Sequence, residues 1–185
     1  MVSEEGAAPM LNAEQRRVLR GMALALIVTF LVLGLGASLA WPLLPVLPRL
    51  EDRLAFTLRC DLFIVAWLAA GIAAVARGRF FSAADIQGSG FSAPGPLIAV
   101  AAAVLQNTLE QVVLALVVHL ALASLLRGRE MVLIPLLVAL FCGGRLAFWI
   151  GYRRRAGNRA LGFGLTFYPS ALALGLTVLL LIVRT

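Results

Sequence analysis

The sequence contains no lysine: all 16 basic residues among its 185 are arginine, set against nine acids. Charged residues reach only 14%, where a soluble domain carries about 25%. Histidine occurs once, at His119, and cysteine twice, at Cys60 and Cys142. These scarcities exclude several classes. Two cysteines without metal spacing give neither a zinc site nor a disulfide framework; both lie in apolar runs and read as small buried hydrophobes. No metal is therefore expected. A net charge of +7 would point to nucleic acid in a soluble protein, but no gap between apolar runs is long enough for a groove-reading module. What fills the space is apolar: 62% of residues, against about 45–50% in soluble domains, with a mean hydropathy of +0.98. A soluble fold is excluded, and so is disorder, which needs few apolar residues. The chain reads as one all-α integral membrane domain.

Five apolar runs divide it. The polar segment 1–20 ends in Arg16, Arg17 and Arg20, and Gly21–Ala40 follows uncharged, long enough for one bilayer span. A charged head, an apolar body and Ser-Leu-Ala before Trp41 have the outline of a secretory signal, but the body is longer than a usual signal core, so a retained span is expected. A connection with Pro42, Pro45 and Pro48 leads to the second run, Ala55–Ala76. Arg77–Gly95 is the longest internal polar stretch and reads as an ordered loop or cap. The third run, Pro96–Leu126, would form a helix roughly 45 Å long, and the hydrocarbon core is only about 30 Å thick, so its first turns should protrude or lie at the headgroups. Arg127–Glu130 is a tight turn into Met131–Ile150. The basic loop Gly151–Arg159 precedes the uncharged run Gly162–Val183. Barrel strands would alternate over about ten residues, and these runs do not.

Arginine counting sets the orientation. With five spans, the N-terminus and the gaps after runs two and four share one side and hold nine arginines; the other side holds five. This bias places the N-terminus in the cytoplasm and the C-terminus outside, and a bacterial inner membrane is expected.

Ionisable residues inside membrane runs are costly and need a partner or a purpose. Asn107 and Glu110, three apart, share a helix face, with Gln106 one turn before Glu110. Arg145 and Tyr152 are seven apart on one face, with Phe148 between them, and Arg159 lies seven beyond Tyr152. All fall near the cytoplasmic side, where Arg77 and Arg79 end run two. A purely structural reading pairs Glu110 with Arg145. His119, nine residues from Glu110, lies on the opposite face and is expected to bond a neighbouring helix. Arg59 and Asp61 are expected to anchor the outer end of run two, and the many glycines to serve close helix packing.

Asn107-x-x-Glu110 in one run, followed by Arg145-x6-Tyr152-x6-Arg159, resembles the MAPEG superfamily, membrane-associated proteins in eicosanoid and glutathione metabolism. The stretch Val75–Asp85 is similar to the end of that family's first helix and its following loop. The resemblance runs from about Ala55 to Thr185 and is nearest to bacterial members of unassigned activity. It implies a four-helix protomer at 55–185, with 21–44 as an extra N-terminal helix, assembling as a homotrimer in membrane lipid. It implies glutathione as co-substrate, bound near the cytoplasmic side between subunits, and a lipophilic small molecule as second substrate. Arg77, Gln106, Asn107, Glu110, Arg145 and Tyr152 would bind, and Arg159 would be the catalytic residue at the sulfur.

The chemistry of these residue types suits that assignment. Guanidinium binds carboxylates bidentately, and a glutamate suits an ammonium. A thiol with a reference pKa near 8.5 becomes a nucleophile beside a cation in a low-dielectric site. The chain also departs from the family: Ala103, Gln111 and Phe148 stand where characterised members carry arginine, tyrosine, and tyrosine or histidine, and Ala160 follows Arg159 where one branch uses serine. Two functions are therefore open, a glutathione-dependent transferase or peroxidase and a non-catalytic scaffold of the same family that binds lipid or a partner complex. Transport would call for helices broken at mid-membrane, and the runs are intact.

The orientation is directly testable. With Cys60 and Cys142 replaced, a single cysteine near residue 185 should label with a membrane-impermeant thiol reagent on intact cells, while one near residue 90 should label only after the cells are opened.

Overall fold

The structure, a computed structural model, describes residues 12–40, 46–88, 91, 93–152 and 156–184. Among them all regular structure is helical. Five long helices, each long and apolar enough to cross a membrane, follow in order: α1 Ala13–Ala40, α2 Leu50–Phe80, α3 Pro96–Leu125, α4 Leu133–Tyr152 and α5 Ala160–Arg184. The chain is an integral membrane protein with four helices in the region of family resemblance and one helix before it.

Four of the five long helices start or end outside the apolar run that announces them, and α3 lies within Pro96–Leu126. α1 begins eight residues before Gly21 because Asn12 and Gln15 form a reciprocal cap: Gln15 N–H donates to Asn12 Oδ1 and Asn12 N–H to Gln15 Oε1, both at 2.8 Å. The arginines after it are good helix formers whose stems cover apolar surface while their heads reach water. α2 extends to Phe80 with Arg77 and Arg79 in its last turn, where cations oppose the helix dipole. Pro96 opens α3 at a position that needs no N–H. Between α3 and α4 the chain turns through a 3-10 segment, Gly128–Val132, in which Gly128 takes φ +54, a left-handed conformation that glycine adopts without cost.

Helices α2 and α3 form one close pair and α4 and α5 another, while α1 lies mainly on α5. α1 and α5 run parallel, since Gly21 faces Ala160 and Ala25 faces Gly164. Two apolar clusters lie side by side: Val118, Leu122, Met131, Ile134 and Leu137 near the α3–α4 turn, and Ile64, Val112, Ala115, Val138 and Phe141 further along the bundle. Large apolar side chains such as Leu62, Phe63, Leu179 and Ile182 point outward, as a lipid-facing surface requires. With lipid as apolar as leucine, such helices associate by close packing and hydrogen bonds rather than by the hydrophobic effect.

The closest approach joins α4 and α5 through glycine. A Cβ at Gly162 would run into the backbone of Phe148, and one at Gly144 would come within 3.0 Å of the Gly162 carbonyl oxygen. Neither obstacle is a flexible side chain, so the backbones must separate to admit one. Gly162→Val should therefore lower stability by about 1–3 kcal/mol or more, read as a fall in detergent-solubilised thermal midpoint. Gly143→Ala, on the same helix but with no neighbour within 4 Å, should be neutral or stabilising by up to ~1 kcal/mol.

Candidate functional site

At the end of the bundle that carries the α2–α3 and α4–α5 connections, the residues singled out in sequence separate into four environments. Arg145 is at the centre. It is 1% exposed, on α4, and no carboxylate pairs with it among the described residues. Its Nη2 donates to Thr166 Oγ1 on α5 at 2.6 Å and its Nη1 to Asn107 Oδ1 on α3 at 2.9 Å, with Thr108 Oγ1 at 3.5 Å. The guanidinium carbon lies 4.5 Å from the Phe148 ring centroid and 5.8 Å from that of Phe141. Neutral oxygens and ring faces thus hold the charge, and Nε stays without a partner.

The structural pairing of Glu110 with Arg145 is therefore not formed. The reason is rotational. Asn107 and Thr108 face α4 from α3, and Glu110 is turned away onto an exposed face, where it accepts from Gln106 Nε2 at 3.0 Å. Gln106 is exposed on the same face, with Val113 and Val117 following one and two turns on.

Asn107, Tyr152 and Arg159 do come together. They line an open cavity of about 440 Å³ between α1, α3, α4 and α5, whose walls include Glu14, Met22, Phe148, Gly157 and Phe163. A 3-10 turn, Ala156–Arg159, brings Arg159 back over the end of α4, and its guanidinium carbon stands 4.8 Å from the Tyr152 ring centroid. Tyr152 also packs against Phe148, with ring centroids 5.4 Å apart. The site therefore offers a half-buried cation fixed over a phenol, an amide oxygen already engaged by Arg145, and apolar walls.

Arg77 is elsewhere. It is exposed at the end of α2 and lines a second cavity with Trp149, Ser82, Asp85 and Gly95. A third cavity, of about 360 Å³ between α2, α3 and α4, is walled by both Trp149 and Tyr152 and lies between the other two. The loop beside Arg77 is ordered by Asp85, whose carboxylate accepts from Gly95 N–H at 2.7 Å and from Ser82 Oγ at 2.6 Å. The Gly95 amide, then the Ser82 hydroxyl, hold the Asp85 carboxyl below the usual carboxylate range. The tie is thus complete at neutral pH and is lost only as pH falls through that lowered value.

Asp61 and His119 occupy the other half of the bundle, and here the expectation of a surface anchor at Asp61 is corrected. Asp61 is 2% exposed, and its Oδ1 lies 2.7 Å from His119 Nδ1 on α3, itself 1% exposed. Helix periodicity turns Asp61 inward and leaves Arg59 exposed, so the two do not act together. His119 bonds its neighbouring helix as its isolation on that face implied.

Sequence reading missed Glu14, Met22 and Thr166. Glu14 and Met22 lie outside the stretch of resemblance, and the signal that would have placed them is the small-residue match of Gly21 and Ala25 to Ala160 and Gly164. Thr166 reads as an ordinary polar residue in an apolar run until its partner is known.

The MAPEG family model matches residues 55–180. Two curated relatives are both named Transmembrane protein 79. The mouse protein is 28% identical over 158 residues, 83% of this chain and 39% of its own length. The bovine protein is 29% identical over 157 residues, with the same shares covered. The chain thus spans about two fifths of the length of these relatives. No solved structure matches the chain.

The anchoring of Arg145 can be measured by a double-mutant cycle. Arg145→Met should cost about 1.5–3 kcal/mol, the worth of hydrogen bonds to a charged group. Combined with Thr166→Val, the two losses should be non-additive by about 0.5–3 kcal/mol in detergent unfolding, because each substitution removes the same bond.

Proposed function

The chain belongs to the MAPEG family, and from that premise we propose that its cytoplasmic-side cavity binds glutathione and that the protein is a membrane-bound glutathione-dependent transferase or peroxidase acting on lipophilic electrophiles. The observation that carries the reading is the convergence of Asn107, Tyr152 and Arg159 on one cavity of about 440 Å³, within the range of small-molecule sites. Arg159, half-buried and stacked on Tyr152, is the catalytic residue of this reading. A guanidinium there favours the thiolate over the thiol, because burial leaves little water to screen it. The thiolate attacks the electrophile, forms the carbon–sulfur bond and expels the leaving group, and an apolar co-substrate arrives from the lipid past Phe148 and Phe163. Arg77 and the exposed Glu110 and Gln106, which do not line this cavity within one protomer, complete the binding set between adjacent subunits.

The same reading proposes a homotrimer. Glu110 sits at the middle of α3, on an exposed face. A carboxylate at that depth is expensive in lipid and inexpensive against protein, so copies of this chain cover the face. The arginine bias supports a cytoplasmic N-terminus, and the bacterial inner membrane proposed as the location rests on the resemblance to bacterial members of the family.

A second reading has its own support. The relatives carry a name that states no activity, and the cavity is lined by Ala103, Phe148 and Ala160 where related enzymes have polar groups. On that reading the protein is a non-catalytic MAPEG scaffold that binds lipid or a partner membrane complex.

Glutathione separates the two. Titration calorimetry on the purified protein should give binding at or below millimolar concentration, and ultraviolet absorbance of the complex should report thiolate. Arg159→Ala should lose thiolate more than affinity, with a rate loss of roughly ten- to more than a hundred-fold. Arg77→Ala and Glu110→Gln should weaken binding instead. A wild type that binds no glutathione at millimolar concentration overturns the enzyme reading and leaves the scaffold.

A further inference from the structure

Helix α1 lies before the residues that the family model matches, yet it forms one wall of the cavity that holds Asn107, Tyr152 and Arg159. We propose that α1 is part of the binding site and that Glu14 holds the cationic group of a zwitterionic ligand whose anionic or thiol end lies at Arg159. The proposal rests on the glutathione reading of the same cavity and assigns the ligand's ammonium to a residue outside the stretch that the family model matches.

Local structure fixes where Glu14 can be. The reciprocal cap between Asn12 and Gln15 sets the first turn of α1 and leaves Glu14 in it, where the helix dipole favours a carboxylate. Arg17 Nη1 braces Glu14 Oε2 at 3.2 Å. The other oxygen, Oε1, lies so close over Gly157 that a side chain at that position would strike it. Parallel packing of α1 on α5, with Gly21 against Ala160 and Leu161, holds this first turn over the 3-10 segment that ends in Arg159. Glycine at 157 leaves the space that the Glu14 carboxylate occupies.

The charges then define the ligand. Among the described residues that line the cavity, Glu14 is the one acid and Arg159 the one cation. The two are not paired with each other: Glu14, its side chain 47% exposed, is held by Arg17, and Arg159 lies over Tyr152, with Val18, Met22, Phe148 and Phe163 lining the same cavity. An acid and a base lining one largely apolar cavity select a molecule that carries both signs of charge. Glu110, the carboxylate that the resemblance offers for an ammonium, does not line this cavity; it is on the exposed face of α3 and already accepts from Gln106.

The experiment compares glutathione with its analogue lacking the γ-glutamyl amino group, by calorimetry on the full-length protein in detergent. The wild type should prefer glutathione by roughly ten-fold or more, the worth of one charge-assisted contact. Glu14→Gln should abolish that preference while binding the deaminated analogue as the wild type does. Glu110→Gln should weaken both ligands alike and keep the preference. Met22→Trp fills the cavity from the α1 side and should lose both ligands while keeping a single oligomeric peak and the wild-type thermal midpoint. Preference retained in Glu14→Gln, or lost in Glu110→Gln instead, overturns the assignment to α1 while the glutathione reading stands. Unchanged binding in Met22→Trp places the ligand outside this cavity and also overturns it. If the wild type binds neither ligand, the glutathione reading falls, and this proposal with it.

Discussion

A guanidinium buried at the centre of a membrane bundle governs the arrangement of the helices around it. Arg145 is buried and, among the described residues, has no carboxylate paired with it, so its charge is spread over Asn107, Thr108, Thr166 and two phenyl faces. Those groups come from α3, α4 and α5, and each must keep its rotation for the charge to remain solvated by protein. The glycine contact between Gly144 and Gly162 brings α5 close enough for Thr166 to reach, and the same closeness aligns Ala160 and the preceding turn over Tyr152. One costly residue thus sets the register of three helices, and the half-buried Arg159 stands on the frame that results.

Helix α3 is divided by this arrangement into two working faces. Asn107, Thr108 and Val112 turn inward toward α4 and the core, whereas Gln106, Glu110, Val113 and Val117 turn outward. The polar groups of the motif Asn107-x-x-Glu110 therefore do not act on one space within a protomer. The inward amide belongs to the Arg145 network and the Arg159 cavity, and the outward carboxylate belongs to whatever packs on the free face. A spacing of three residues places two side chains on neighbouring rows of a helix, and which neighbour each row meets is a tertiary fact.

Much of the fold was legible because bilayer thickness and apolar run length are tightly linked. Each apolar run contains the body of one helix, and only the ends differ, where capped or arginine-rich turns continue past the hydrocarbon. The site was legible in part. The resemblance named Asn107, Tyr152 and Arg159 from spacing, and these three share a cavity. Pairings between distant residues were not legible. Asp61 and His119 are 58 positions apart, and Arg145 and Thr166 are joined by a bond between a charge and a neutral hydroxyl that no charge pattern reveals. Glu14 was missed for a different reason: an acid among exposed arginines before a first span has the ordinary look of a polar leader, and only the docking of α1 on α5 gives it a neighbour.

The parallel seat of α1 on α5 has a bearing on the order in which the chain is built. Ribosomal synthesis delivers α1 before the other four helices, and its main neighbour, α5, follows after some 120 further residues. During that interval α1 waits in the bilayer with its docking surface unmet. It is suited to waiting, because nothing between Gly21 and Ala40 is ionisable, whereas α2 and α4 each carry a residue, Asp61 and Arg145, that lipid does not tolerate alone. The hairpin of α2 with α3 closes early around Asp61 and His119, and the hairpin of α4 with α5 around Arg145 and Thr166. Of these five helices the earliest made is the last to be seated, and the Arg159 cavity acquires its fourth wall only after α5 has been made.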